Sequence, residues 1–336
     1  MFRDDVLCVG SAVVDLFMTV DVPFSGLHIG DKVLVKSTET HSGGGATNSA
    51  AALSLLGLKV SMLTKLGRDH DAEFIAQEMR KYSVRNLCLH HSKHNTDVST
   101  VIFSTKDHDR IIFTHKGASQ DLNTHDFKLS LLSPQWIYLA SLVGKSFNVA
   151  EYFAYYVQKK GTKLLFNPSL YVAKKRMKKL RSILLATSIL VLNKEEAEAL
   201  VGRKMPTTQL LTTLNYSGPE TVVITDGEKM VYALHRGQVY SVLPPRVNVV
   251  QTTGAGDAFA SGLLGGIIKR WSFDDCLRLG LVNAVSVLQD VGAKNKLLNE
   301  HQAKEVMKKY HIKIKTSMVS CKNNVCHVKK NKAIGK

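Results

Sequence analysis

The sequence predicts an α/β protein: a three-layer domain whose parallel sheet is covered by helices on both faces, with a small β lid. Three observations carry this. Short apolar runs ending in Gly, Asn or Asp alternate with helix-forming runs along most of the chain. Two segments break the alternation with paired-strand patterns. No apolar run reaches the roughly eighteen residues that a transmembrane helix needs.

The elements follow in order. MFRDDVLCVGSAVVDLF is acidic before its apolar run and lacks the positive start and small-residue cleavage site of a signal peptide. It reads as a first buried strand, and a cytoplasmic location is expected. Residues 16–41 (LFMTVDVPFSGLHIGDKVLVKSTETH) and 96–116 (TDVSTVIFSTKDHDRIIFTHK) read as paired strands with polar turns, a separate small sheet able to cover a site. A lid closing over a phosphate donor excludes water, the competing acceptor. DVLCVG, KVSMLTKLG, TKLLFNPS, TSILVLN and TVVITDG are the main-sheet strands. TNSAAALSLLG, DAEFIAQEMRKY, VAEYFAYYVQKK and KEEAEALVG are helices between them. In such sheets ligands sit at the C-terminal strand ends, so the polar residues there are site candidates.

The chain has 336 residues and a formal net charge of +17, unevenly spread. YVAKKRMKKLR (171–181) carries six basic residues and no acid, and residues 294–336 carry a net +10. The remainder is almost balanced, which describes two basic patches on a neutral domain, with nucleic acid not expected as the main partner. Residues 317–336 have little apolar content and are expected to dangle. Five scattered cysteines argue against a disulfide scaffold. Cys321, Cys326 and His327 lie close in that tail, a weak zinc pattern.

HSGGGATNSAAALSLLG holds three successive glycines before a helix opened by Thr47 or Asn48. One reading is a flexible turn with a cap; the other is a backbone that approaches a ligand closely, favoured because three glycines exceed what a cap needs. In NKEEA, Asn193 and Glu196 are spaced as a capping box, worth ~1 kcal/mol, or place Glu196 to orient a hydrated Mg²⁺. In TVVITDGEK, Thr225 and Gly227 end a strand where they could meet a nucleotide phosphate, while Asp-Gly also signals a hairpin into MVYALH. GKS at 144–146 lacks the first glycine of a Walker A loop, and no GxGxxG follows a strand.

QTTGAGDAF carries the chemistry. Gly254, Ala255 and Gly256 open an apolar helix whose first amides can hold a phosphoryl group in transfer. Asp257 then stands beside that group, within reach of an acceptor hydroxyl, as general base.

Together these residues resemble the ribokinase-like (phosphofructokinase-B type) carbohydrate kinases from about Asp5 to Ala293. GSAVVDL resembles the opening sugar-binding strand and implies Asp15 as an acceptor ligand. SGGGATN resembles the di-glycine signature, implying Gly43, Gly44 and Asn48 on the acceptor. NKEE resembles the family's metal-linked N-x-x-E, Asn193 and Glu196. TDG resembles the nucleotide-contacting T-x-G, Thr225 and Gly227. TTGAGD resembles the anion hole and catalytic Asp. Asn283, before the GA at 292–293, resembles the adenine pocket. Lys116 in THKGAS is placed to reach acceptor or phosphate, or is a surface lysine.

The resemblance implies a ribokinase-like kinase domain over 1–316, ATP and Mg²⁺ as cofactors, and a sugar or sugar-like acceptor phosphorylated at a hydroxymethyl group. A homodimer through the lid is a further implication. Gln251 stands where the family has an Asp that helps hold a monovalent cation, and a neutral amide is a poorer ligand for K⁺. Val13 stands where ribokinase has an Asn on ribose, which leaves room for a nucleoside kinase. A non-catalytic relative that binds nucleotide or RNA through the basic patches is the alternative from another class.

Overall fold

The computed structural model describes residues 4–128, 133–322 and 325–329. The chain opens with β1 (Val6–Val9), then β2 (Val13–Val20) and β3 (Val35–Gly43). Helix α1 (Gly45–Leu55) leads to β4 (Val60–Leu63), α2 (His70–Lys81) and the short β5 (Arg85–Asn86). A hairpin of β6 (Asp97–Ser104) and β7 (Asp109–His115) follows. Next come β8 (Trp136–Leu139), α3 (Phe147–Lys160), β9 (Lys163–Phe166), and short helices α4 (Leu170–Ala173), α5 (Arg176–Lys179) and α6 (Arg181–Ala186). The chain continues through β10 (Ile189–Asn193), α7 (Lys194–Val201), α8 (Thr207–Tyr216) and β11 (Thr221–Thr225). β12 (Val231–His235) and β13 (Gln238–Val242) precede α9 (Ala255–Ile268), α10 (Phe273–Val287) and α11 (Glu300–Tyr310). The last strands are β14 (Ile314–Lys322) and β15 (Val325–Lys329).

The large sheet has the order β15-β14-β13-β12-β11-β10-β9-β8-β1-β4-β5. The strands from β5 to β11 are parallel, and those from β11 to β15 are antiparallel. β1 shows why its strands are apolar throughout. Val6 and Cys8 enter one core with α1, α2, α9 and α10, while Leu7 and Val9 enter the other with α3, α6, α7 and α8. A strand buried on both faces has no solvent side, so the apolar residues run without alternation. The expected lid is a four-stranded sheet of order β3-β2-β6-β7, covering both expected segments.

One expectation is corrected. Residues 317–322 and 325–329 do not dangle: β14 pairs antiparallel with β13, and β15 with β14. An open strand edge offers backbone donors and acceptors that a polar segment can satisfy, so low apolar content did not exclude a strand there. Cys8, Cys88 and Cys276 are free thiols, and no helix among the described residues is long and apolar enough to cross a membrane.

Candidate active site

The C-terminal ends of the parallel strands open onto a cavity of about 460 Å³. Its lining includes Gly254, Gly256 and Asp257 from the start of α9, Gly45 from the start of α1, and Asn193, Glu196 and Thr225 from the ends of β10 and β11. Lys116, just beyond β7, faces it from the lid side. Five sequence-expected elements thus converge on one space.

Local backbone explains the convergence. Gly254 has φ +79°, and a Cβ there would strike Ala293. Gly44 has φ +96°, and its Cβ would lie 2.5 Å from the Ser11 carbonyl oxygen. Both positions need glycine, and both turn a helix N-terminus toward the cavity. Among the described residues, the amides of Gly256 and Asp257 have no protein acceptor, and the Ala255 amide reaches Thr252 O only at 3.4 Å. The positive end of α9 is therefore free to bind an anion.

Asp257 is held from both sides. Asn48 Nδ2 donates to its Oδ2 at 2.9 Å. The Tyr138 hydroxyl lies 3.4 Å from its Oδ1 and 2.9 Å from Asn167 Oδ1. Asn167 Nδ2 donates onward to Val191 O at 2.9 Å. Burial raises the Asp257 carboxyl above its ordinary range, and the Asn48 and Tyr138 hydrogen bonds and the Lys294 charge oppose that rise. A base poised higher than a surface Asp is better matched to neutral operation.

The residues expected on the acceptor, Asp15, Gly43, Gly44 and Asn48, are not among the cavity's lining residues. Asp15 is 7% exposed and packs against Gly43, and Asn48 is 5% exposed. Burial lifts Asp15 to about 6, against the charges of Lys294, Lys116 and His41 and a hydrogen bond from Ser99. Lys116 is not a free surface lysine, because its Nζ lies 3.4 Å from the fully buried Asp97. Asp97 in turn accepts from Gly117 N, Ser119 N and Ser119 Oγ, fixing the segment that carries Lys116. Arg110 of β7 reaches across to Thr252 Oγ1 at 3.0 Å, tying the lid to the loop before the anion turn.

At Asn193 the capping box forms: Asn193 Oδ1 accepts from Glu196 N and Glu196 Oε2 from Asn193 N, both at 2.8 Å. The same Glu196 also faces the cavity, so the cap and a metal role are compatible. Burial, with Asp257 and Glu195 nearby, pushes its carboxyl up to about 7, against the Asn193 amide. No cation pairs with it among the described residues. Among those residues, no group of three His, Cys, Asp or Glu forms a protein-only metal cage.

Two residues expected on the nucleotide side, Gly227 and Asn283, are not among the cavity's lining residues. Gly227 sits in the exposed β11–β12 hairpin turn, outside the cavity lining, so the hairpin reading accounts for it. Asn283 is 0% exposed inside α10; its Oδ1 accepts from Leu298 N at 3.0 Å, and its Nδ2 has no partner among the described residues. It ties a loop to the core beneath the cleft. In the basic 171–181 segment, Arg176 Nη1 donates to Ala199 O in the last turn of α7, a structural use of one of those charges.

Sequence reasoning missed Tyr138, Lys294 and Arg110, and did not select Asn167. Asn167 ends a strand in FNPS and carried a readable signal; Tyr138 lies inside an apolar strand, and Lys294 lies in a polar KNK run that reads as surface.

A three-layer α/β/α fold with a β lid, and a carboxylate beside a free helix N-terminus, define the class: small-molecule kinases of the ribokinase fold. The pfkB family carbohydrate kinase model matches residues 3–300. The chain belongs to that family, whose members are phosphotransferases. It is 28% identical over 334 residues to a sugar kinase relative from Pyrococcus horikoshii, covering 90% of this chain and 97% of that one. Its fold matches Arabidopsis thaliana ribokinase complexed with ribose and ATP, with a TM-score of 0.75, 20% identity, and 91% and 99% of the two chains covered. It also matches Burkholderia thailandensis nucleoside kinase in complex with inosine, with a TM-score of 0.74, 21% identity, and 91% and 98% coverage.

Proposed function

We propose that this chain transfers the γ-phosphoryl group of ATP to a hydroxymethyl group of a sugar or sugar-like acceptor, with Asp257 as general base. One observation carries the reading: the Asp257 carboxylate, held by Asn48, faces the same cavity as the unfilled amides at the start of α9. The acceptor hydroxyl loses its proton to Asp257 as it captures phosphorus, and the 254–256 turn receives the charge on the equatorial oxygens. Asp15, Gly43, Gly44 and Asn48 position the acceptor. Lys116 brings a cation from the lid side, and the lid excludes water. Asn193 and Thr225 border the nucleotide side.

Glu196 fits Mg²⁺. It is a carboxylate in the cavity with no counter-charge among the described residues, and Mg²⁺ binds through few protein ligands while keeping several waters. When bound, the ion supplies charge neutralisation on the donor phosphates. A monovalent cation beside Gln251 does not fit. Gln251 Oε1 accepts from Gly292 N at 2.7 Å, and its Nε2 donates to Thr253 Oγ1 at 3.2 Å. The neighbouring carbonyls of Gln289 and Val291 take the Lys296 ammonium and the Asn295 amide. The chain's own donors occupy these oxygens.

A second copy of this chain is the proposed partner of the lid, whose β7 exposes Ile111, Ile112 and Phe113. The deciding experiment for the activity is ATP consumption over a panel of sugars and nucleosides with wild type and Asp257→Asn. The variant should still bind nucleotide and lose on the order of 10²-fold or more in turnover. Turnover near the wild-type rate would remove Asp257 from the role of base. Competition by adenosine, cytidine or inosine, but not by free sugars, would identify a nucleoside acceptor.

A further inference from the structure

Lys294, which the reading above does not use, is the most deeply buried lysine among the described residues, at 4% exposed. Its Nζ donates to Ser42 O and lies 3.4 Å from Asn48 Oδ1 and 3.7 Å from Glu78 Oε1. Glu78 Oε2 accepts from Ser42 N at 3.3 Å. The Glu78–Lys294 pair thus grips both faces of the Ser42 peptide, at the entry to the glycine turn. Asn48 links the ammonium to Asp257: one end of its amide meets Lys294 and the other donates to the carboxylate.

We infer that Lys294 is a positioning residue for the Asp257 carboxylate, holding the oxygen of the Asn48 amide whose nitrogen donates to it and placing a positive charge on that side of the site. The inference rests on Asp257 being the base. An ammonium has donors and no acceptor, so the Asn48 atom beside it must be the oxygen. The Nδ2 group is then forced toward Asp257, where it can only donate. An apolar residue at 294 removes the donor to Asn48 Oδ1 and leaves the Asp257 carboxylate alone to orient the amide.

The charge works alongside the orientation. The titratable groups acting on Lys294 are Glu78 from α2, Asp15 from β2 and Asp257 from α9, and Asp15 is in turn faced by Lys116 from the lid segment and His41 from β3. Burial lowers the Lys294 ammonium from its ordinary value, and Glu78, Asp15 and Asp257 hold it up. Reciprocally, Lys294 is the one charged side chain that opposes the burial-driven rise of Asp257.

Carboxyl titration in protein carrying ¹³C-labelled aspartate tests this without an acceptor, with Asp257→Asn used to assign the resonance. In Lys294→Met and Lys294→Gln the Asp257 midpoint should move up by about one unit. Lys294→Gln can still donate to Ser42 O and Asn48 Oδ1. It should therefore keep more turnover than Lys294→Met on whichever of ribose, fructose or adenosine the wild type phosphorylates. A lysine that only fills space would lower thermal stability and leave the midpoint unmoved. A folded variant with an unmoved midpoint overturns the inference, and if Lys294→Met fails to fold, Lys294→Gln alone decides. An active Asp257→Asn would overturn the base assignment while the titration still reports on Lys294, so the two failures are distinguishable.

Discussion

Glu196→Gln should make the metal-free protein more stable at alkaline pH while damaging its Mg²⁺ response. Glu196 sits at about 7 in the fold against an ordinary 4.5, chiefly because burial disfavours its charge. The sign follows from the proton count. Between these two values the folded state binds more protons than the unfolded one, so stability falls as pH rises. At pH 8 the carboxylate is ionised in both states, and its burial costs an upper bound of about 3 kcal/mol. At pH 5 the folded state holds the proton and the cost drops below about 1 kcal/mol. Glutamine keeps the oxygen that accepts from Asn193 N, so the cap survives while the charge goes. Thermal unfolding without metal should therefore show the variant several degrees above wild type at pH 8, with the gap closing by pH 5. Added Mg²⁺ should raise the wild-type midpoint at pH 8 and leave the variant almost unmoved. A gap of the same size at both pH values, or a wild type stabilised by alkaline pH, would refute the idea of an uncompensated anion waiting for a cation.

Other outcomes follow from particular contacts. Turnover should be the same when K⁺ is replaced by tetramethylammonium at constant ionic strength, because Gly292 N, Asn295 and Lys296 already donate to the local oxygens; a K⁺ requirement in steady-state kinetics would contradict this. Asn283→Ala should lower stability by about 1–3 kcal/mol in chemical denaturation by orphaning the buried Leu298 amide, with KM for ATP unchanged. The acceptor KM should rise as pH falls through about 6, where Asp15 takes up a proton; a flat KM between pH 5 and 8 would separate Asp15 from acceptor binding. Phe113→Glu should sediment as a monomer if the exposed lid face pairs two copies.

The main sheet was legible because strands buried on two faces must be apolar throughout, and strand ends are where polarity returns. Asn193 and Thr225 were singled out that way, and Asp257 by the glycine turn at the start of its helix; the cavity brings the three together. β14 and β15 were not legible, because edge pairing is a backbone transaction that side-chain polarity hardly records. Asn283 carries two signals, since its surroundings, LVNAVSV, also show it among apolar neighbours on a helix. The periodicity pointed to a buried amide, and its motif position pointed to a ligand. Lys294 was out of reach for a different reason. Nothing local distinguishes it from Lys296 two positions on; its burial depends on Glu78, which α2 delivers from a distant part of the chain.

The charge arrangement explains why these carboxylates are not interchangeable. Asp15, Asp257 and Glu196 are all lifted by burial, so each is a costly anion in the absence of a partner. Lys294 acts on the first two and not on the third. Under the proposed function, Asp257 would need to stay ionised to accept a proton and Asp15 to accept hydroxyl donors from the acceptor, and one internal cation near both would serve both needs. Under the same proposal the counter-charge of Glu196 would arrive with the donor, and a resident lysine there would compete with the metal. Removing Lys294 and withholding Mg²⁺ should therefore disturb different carboxylates. The first should move the Asp257 titration and spare Mg²⁺-induced stabilisation. The second should leave Asp257 where it is, and cross-talk between them would mean that one cation serves the whole site.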